Sequence, residues 1–129
     1  MLVVDDSRDT RKVLSMALEL AGYRVSVASN GMEALEILHQ QPHDLVITDL
    51  WMPNMDGAEL VRLLRLSPAT AATTIVLMTA ACPPQLRDRV AADAFVAKPF
   101  EFRQLMQLLA SLSRPLPVQP SLAPATAST

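Results

Sequence analysis

The chain has almost nothing that would staple it, anchor it or cradle a nucleotide. Cys82 is its one cysteine, so no internal disulfide can form and nothing suggests an oxidising compartment. Glycine occurs three times in 129 residues. No Gly-rich phosphate loop is present, which argues against nucleotide or flavin binding. No apolar run approaches the length of a bilayer span. The N-terminus lacks the basic lead and long apolar core of a signal peptide. Charge is scarce in either sign: a net charge of -2 with interspersed signs gives no reason to expect nucleic-acid binding by this segment. A cytoplasmic domain is the expectation.

What is present is a core. Half the residues are apolar and only 4% aromatic, which suits one domain built on Leu, Val, Ala and Ile. Strand-like runs alternate with helix-period segments. Met1 to Val4 is a short apolar strand ending at Asp5-Asp6-Ser7. Arg8 to Ala21 is a helix carrying Val13, Leu14, Ala17, Leu18 and Ala21 on one face, stopped by Gly22. Arg24 to Ala28 alternates polar and apolar as an edge strand does. Asn30 and Glu33 form a capping-box spacing for a second helix that buries Ala34, Leu35 and Leu38.

Leu45 to Thr48 is a central strand, and Ala58 to Leu66 a helix burying Leu60, Val61 and Leu64. Thr74 to Met78 is another buried strand, stopping at Thr79. Pro83-Pro84 is placed to start a short helix through about Ala91. Ala94 to Ala97 is the last strand, ending at Lys98-Pro99. Glu101 to Ser113 closes the domain, with Phe102, Leu105, Leu108, Leu109 and Leu112 at helical spacing. Five βα units with strands apolar on both faces predict an α/β fold, a parallel sheet covered by helices on each side. Residues 1–113 form that domain, and the Pro-, Ala-, Ser- and Thr-rich stretch 114–129 reads as linker or disordered tail.

The strand ends define the candidate site. Asp5-Asp6, Asp49, Thr79 and Lys98 all stand at carboxyl ends, the edge where open α/β sheets bind ligands. Three carboxylates that close repel one another unless a cation sits among them, and Mg²⁺ suits oxygen ligands of this kind. Asp49 can then act as a nucleophile toward phosphorus, with Lys98 offsetting charge and Thr79 offering a hydroxyl. Each motif has a plainer reading. Asp5-Asp6-Ser7 could be an N-cap, Asp49 a strand-ending residue and Phe95 core; only their conjunction favours a site. His39 and His43 flank Pro42 at the opposite edge and read as surface residues. Arg87-Asp88-Arg89 reads as a solvated helix face.

Taken together, Val3-Val4-Asp5-Asp6-Ser7, Asp49-Leu50-Trp51-Met52-Pro53 with Asp56-Gly57, Thr79-Ala80 and Lys98-Pro99-Phe100 resemble the receiver domain of two-component response regulators. The resemblance covers Met1 to about Ser113. It implies a doubly wound, flavodoxin-like (βα)5 sheet of order 2-1-3-4-5. It implies Asp49 as phosphoacceptor from a phosphohistidine of a histidine kinase or histidine phosphotransfer protein. Mg²⁺ would be held by Asp5, Asp6, Asp49 and the main-chain carbonyl of Trp51. Lys98 would pair with phosphoryl oxygens. Thr79 and Phe95 would form a switch pair that biases the face made by helix four, strand five and helix five, a surface that could also make a homodimer. Such a domain is a signalling switch rather than an enzyme with an external substrate, acting on a downstream protein or effector domain.

Three features depart from that pattern. Thr79 to Lys98 is shorter than usual by about one helical turn, so the fourth helix should be short. A small-Gly-Ala lead into the last strand is replaced by Ala91-Ala92-Asp93-Ala94. Trp51 and Ala81 flank the route of the hydrolytic water without a carboxylate or amide to orient it, so the acyl phosphate is expected to be long-lived; alternatively Trp51 only packs on its loop. Met1 also lies close to the acidic pair, and residues that ordinarily precede the first strand are expected to lie outside this sequence. The rival classes are a phosphorylation-independent interaction module on the same fold and a Mg²⁺-dependent phosphohydrolase. The latter is disfavoured because Asp5-Asp6-Ser7-Arg8-Asp9 lacks alternating carboxylate spacing.

Overall fold

Apolar runs of three to six residues, cut by polar turns, become the strands of one sheet. The computed structural model describes residues 1–80 and 84–112. Its elements are β1 (Leu2–Val4), α1 (Arg8–Leu20), β2 (Ser26–Ala28), α2 (Gly31–Gln40), β3 (Leu45–Asp49), α3 (Gly57–Leu66), β4 (Thr74–Thr79), α4 (Pro84–Arg89), β5 (Ala94–Ala97) and α5 (Phe102–Leu112). Every strand pairing is parallel, in the order β2-β1-β3-β4-β5. That is the flavodoxin-like order, with the predicted edge strand β2 at the edge. The expected tail, residues 114–129, lies outside the described residues, as do Ala81, Cys82 and Pro83.

The chain divides into two compact units, Met1–Pro99 and Phe100–Thr129. The first holds the whole sheet and α1 to α4. The described part of the second is α5, with Leu105 and Leu109 buried; Phe102, expected on the apolar face, is exposed.

Within the first unit, alternate side chains of each strand serve opposite faces. Leu2, Val4, Val46, Ile75 and Leu77 join Ala34 and Leu38 of α2 and Leu60, Val61 and Leu64 of α3 in one core cluster. The intervening Val3, Ile47, Val76 and Met78 are fully buried as well. Each buried Leu or Ile contributes roughly 2 kcal/mol. α1 packs on β1 and β2 through a narrower stripe than predicted, Leu14 and Leu18. Val13 is 64% exposed and Ala21 is exposed too. Val13 sits a quarter-turn from Leu14, and with Met16 and Leu20 it forms an outward apolar stripe.

The helix ends follow the sequence signals. Gly22 takes a positive φ of 101°, with Tyr23 N donating to Leu18 O and Gly22 N to Glu19 O, a Schellman stop. Asn30 Oδ1 accepts from Glu33 N at 2.8 Å, and Glu33 reaches back to Ser29 N rather than to the cap residue itself. α4 has six residues, as short as expected. The unusual lead into β5 has a specific use. Asp93 Oδ2 accepts from Ile75 N at 2.7 Å and pairs with Arg65 at 2.9 Å. Arg65 also donates to the carbonyls of Ala71, Thr73 and Ala91. One guanidinium thus ties the segments before β4 and β5 to the end of α3.

Candidate functional site

The parallel sheet delivers four separated segments to one edge. Asp49 is the last residue of β3, opposite Met78 of β4, and Thr79 ends β4. Leu50 N donates to Met78 O and Lys98 N to Thr79 O, both at 2.8 Å, so the chain leaves β3 and β5 still tied to β4. On the other side of β3, Asp5 N donates to Ala28 O at 3.1 Å, which holds the end of β1.

The charged side chains converge as predicted. Lys98 Nζ lies 3.0 Å from Asp5 Oδ2 and 3.5 Å from Asp49 Oδ2. Asp5 is buried, and its other oxygen accepts from Ser7 N at 2.8 Å. Asp6 is exposed, yet one carboxylate oxygen from each of Asp5, Asp6 and Asp49 lies within 4.8 Å of the others. Three hard oxygen donors at that spacing fit a small divalent cation such as Mg²⁺, with room in its shell for water and a phosphoryl oxygen.

Burial pushes the Asp49 carboxyl above its ordinary pKa; Lys98 opposes this, and the nearby Asp5 charge adds to it. Burial would pull the Lys98 ammonium down, but its bond to Asp5 and the fields of Asp5 and Asp49 outweigh that and raise it. The site is therefore a buried acid held beside a firmly protonated amine, short of positive charge for three carboxylates.

Gly57 is needed for the loop that follows Asp49. Its N–H donates to Leu50 O at 2.7 Å, and a side chain there would collide with the Asp49 carbonyl oxygen and come within 2.9 Å of Leu50 Cα. Asp56 caps α3 by accepting from Glu59 N at 2.8 Å. Trp51, in the loop that follows Asp49, is 56% exposed. Thr79 is buried. Phe95 is half-buried opposite Leu77.

Two cations escaped the sequence reading. Arg11 Nη1 donates to Asp5 O at 2.8 Å; its place one helical turn beyond the N-cap, Ser7, was the available signal. Arg87, Asp88 and Arg89 are exposed, as expected of a solvated face, but the Arg87 guanidinium also lies 5.2 Å over the Phe95 ring, a cation–π contact. His39 is exposed, whereas His43 is half-buried, with Nε2 3.1 Å from Ser26 Oγ. The acidic trio is the only metal-competent group among the described residues.

Comparison with known proteins agrees with this geometry. A family model described as "Response regulator receiver domain" matches residues 1–110. Response regulator MprA of Mycobacterium sp. (strain KMS) is 33% identical over 119 residues, covering 88% of this chain and 50% of MprA. The chain thus spans about half the length of the curated relatives it matches. Chemotaxis protein CheY4 of Vibrio cholerae superposes with a TM-score of 0.82 at 34% identity, covering 87% of this chain and 96% of that one. TrrA of Thermotoga maritima, solved in complex with Mg²⁺-BeF, gives a TM-score of 0.77 at 35% identity, with the same coverage of 87% and 96%. Fold, strand-end acids and sequence agree: this chain belongs to the response regulator receiver domain family.

Proposed function

We propose that Asp49 accepts a phosphoryl group from the phosphohistidine of a histidine kinase or histidine phosphotransfer protein, and that the phosphorylated domain signals to a downstream protein or effector domain. The observation that carries this is the Lys98 ammonium lying 3.0 Å from Asp5 and 3.5 Å from Asp49. Together these residues set one ammonium against two carboxylates, which leaves net negative charge for a divalent cation to offset. An Asp49 oxygen forms the new bond to phosphorus while the donor's phosphorus–nitrogen bond breaks and its electron pair returns to the imidazole. Asp5, Asp6, Asp49 and the Trp51 carbonyl would hold Mg²⁺, whose charge offsets repulsion between carboxylate and phosphoryl oxygens. Lys98 turns from Asp49 to a phosphoryl oxygen, and the Thr79 hydroxyl donates to another. No metabolite is turned over; catalysis is positioning plus electrostatics.

Movement of Thr79 toward the new charge is the signal, and the Phe95 ring answers it by packing inward, with α4 and β5 changing their surface. The exposed Val13, Met16 and Leu20 stripe on α1, the helix that starts beside Asp6, offers apolar area to a donor's helix. The test is acetyl phosphate or phosphoramidate with Mg²⁺, read by intact mass and peptide mapping. A single stable adduct on Asp49, lost in Asp49→Asn, is expected. No adduct would leave a phosphorylation-independent interaction module, and rapid multiple turnover a hydrolase.

A further inference from the structure

We infer that Arg11 is a positioning residue for the metal site, acting through the main chain to aim the exposed carboxylate of Asp6; this rests on the reading of Asp5, Asp6 and Asp49 as Mg²⁺ ligands. The three acids are held very unequally. Asp5 is buried and fastened at both oxygens, by Ser7 N at 2.8 Å and Lys98 Nζ at 3.0 Å. Asp49 is fixed by its strand, with Leu50 N bound to Met78 O. Asp6 is exposed, and among the described residues its carboxylate makes no hydrogen bond or ion pair. Its direction is set by the backbone that carries it.

That backbone is where Arg11 acts. The Asp5 carbonyl and the Asp6 N–H belong to one planar peptide group, so the orientation of that plane decides where the Asp6 side chain projects. β1 ends at Val4, and the carbonyl of Asp5 lies beyond the paired residues of the strand. Arg11 Nη1 donates to it at 2.8 Å in a partly buried position. Arg11 is itself fixed, because its N–H closes the first turn of α1 on Ser7 O at 3.0 Å. A planar, permanently charged guanidinium on a helical stem is a rigid clamp for one carbonyl.

Arg11 has two effects on a bound cation, and they oppose each other. Its charge repels Mg²⁺, whereas its clamp holds Asp6 ready for it. The inference is that the clamp dominates, which fixes the sign of the outcome. Partners of metal ligands typically carry 10- to 100-fold in affinity, and one held through the backbone belongs at the low end, roughly tenfold.

The experiment is a MgCl2 titration at constant ionic strength, read by the fluorescence of Trp51, which stands two residues from Asp49. Arg11→Met keeps the packing stem but removes donor and charge, and Arg11→Lys keeps the charge. Arg11→Met is expected to weaken Mg²⁺ about tenfold and Arg11→Lys by less. In an Asp6→Asn background, Arg11→Met should cost little more, since the residue through which it acts has gone. Unchanged or tighter binding by Arg11→Met overturns the inference and leaves the phosphoacceptor reading standing. An equal loss with and without Asp6 also overturns it, since Arg11 would then be merely structural. If the parent shows no saturable Mg²⁺ response, the ligand assignment fails and the inference fails with it.

Discussion

Replacing Lys98 by Met removes the one ammonium that lies between Asp5 and Asp49 and leaves a side chain of similar length. At an effective dielectric of about 20, the attractions at 3.0 and 3.5 Å are each worth roughly 5 kcal/mol before desolvation is charged against them. The Asp5 and Asp49 oxygens, no more than 4.8 Å apart, repel by at least about 3 kcal/mol once the amine is gone. Breaking a buried ion pair from one side costs about 3–5 kcal/mol. Here Asp5 keeps its bond from Ser7 N, so the lower end applies, about 3 kcal/mol. For a domain of this size that is a fall of roughly 12 °C in melting temperature. The assay is thermal denaturation followed by circular dichroism at pH 7 in EDTA, repeated with saturating MgCl2, which should narrow the gap by restoring positive charge. The Lys98 pKa is raised above its ordinary 10.5, so its contribution is fully present below that pH and fades as pH rises through the higher folded value. Parent and variant should therefore converge in alkali. A variant that melts with the parent at pH 7 in EDTA refutes the electrostatic account.

The Asp49 pKa moves the same way with the opposite consequence at neutral pH. Its folded value is raised above 3.8, so the stability it contributes is complete below that pH and lost as pH rises through the folded pKa; Asp49→Asn should melt above the parent at pH 7 without metal, and the gap should close in acid. Trp51→Asn places an amide where the exposed indole stands; decay of the phosphoryl adduct, followed by intact mass, should become several-fold faster, and equal or slower loss would show that the indole does not govern water attack. Arg65→Met removes the donor shared by the carbonyls of Ala71, Thr73 and Ala91 and the carboxylate of Asp93. Its unfolding free energy in urea should fall by about 2–3 kcal/mol, while the Mg²⁺ affinity at the far edge of the sheet stays within about twofold, as distant sites behave additively.

The order of elements, the parallel sheet and the edge on which the acids and Lys98 meet were all legible in the residues. Unbroken apolar runs such as Val46-Ile47 and Ile75 to Met78, alternating with helix-period segments, fit a parallel sheet covered by helices on both faces. Once strands are parallel, residues that end them share an edge whatever their distance along the chain. Tertiary structure alone decided the finer matters. Which apolar residues of α1 face inward depends on where the helix lands on β1 and β2, and a quarter-turn put Val13 outside. Contacts made by long cationic side chains were illegible for a related reason: an arginine reaches several groups from one position. The carbonyl clasped by Arg11, the ring covered by Arg87 and the three carbonyls gathered by Arg65 exist only when distant segments are already in place.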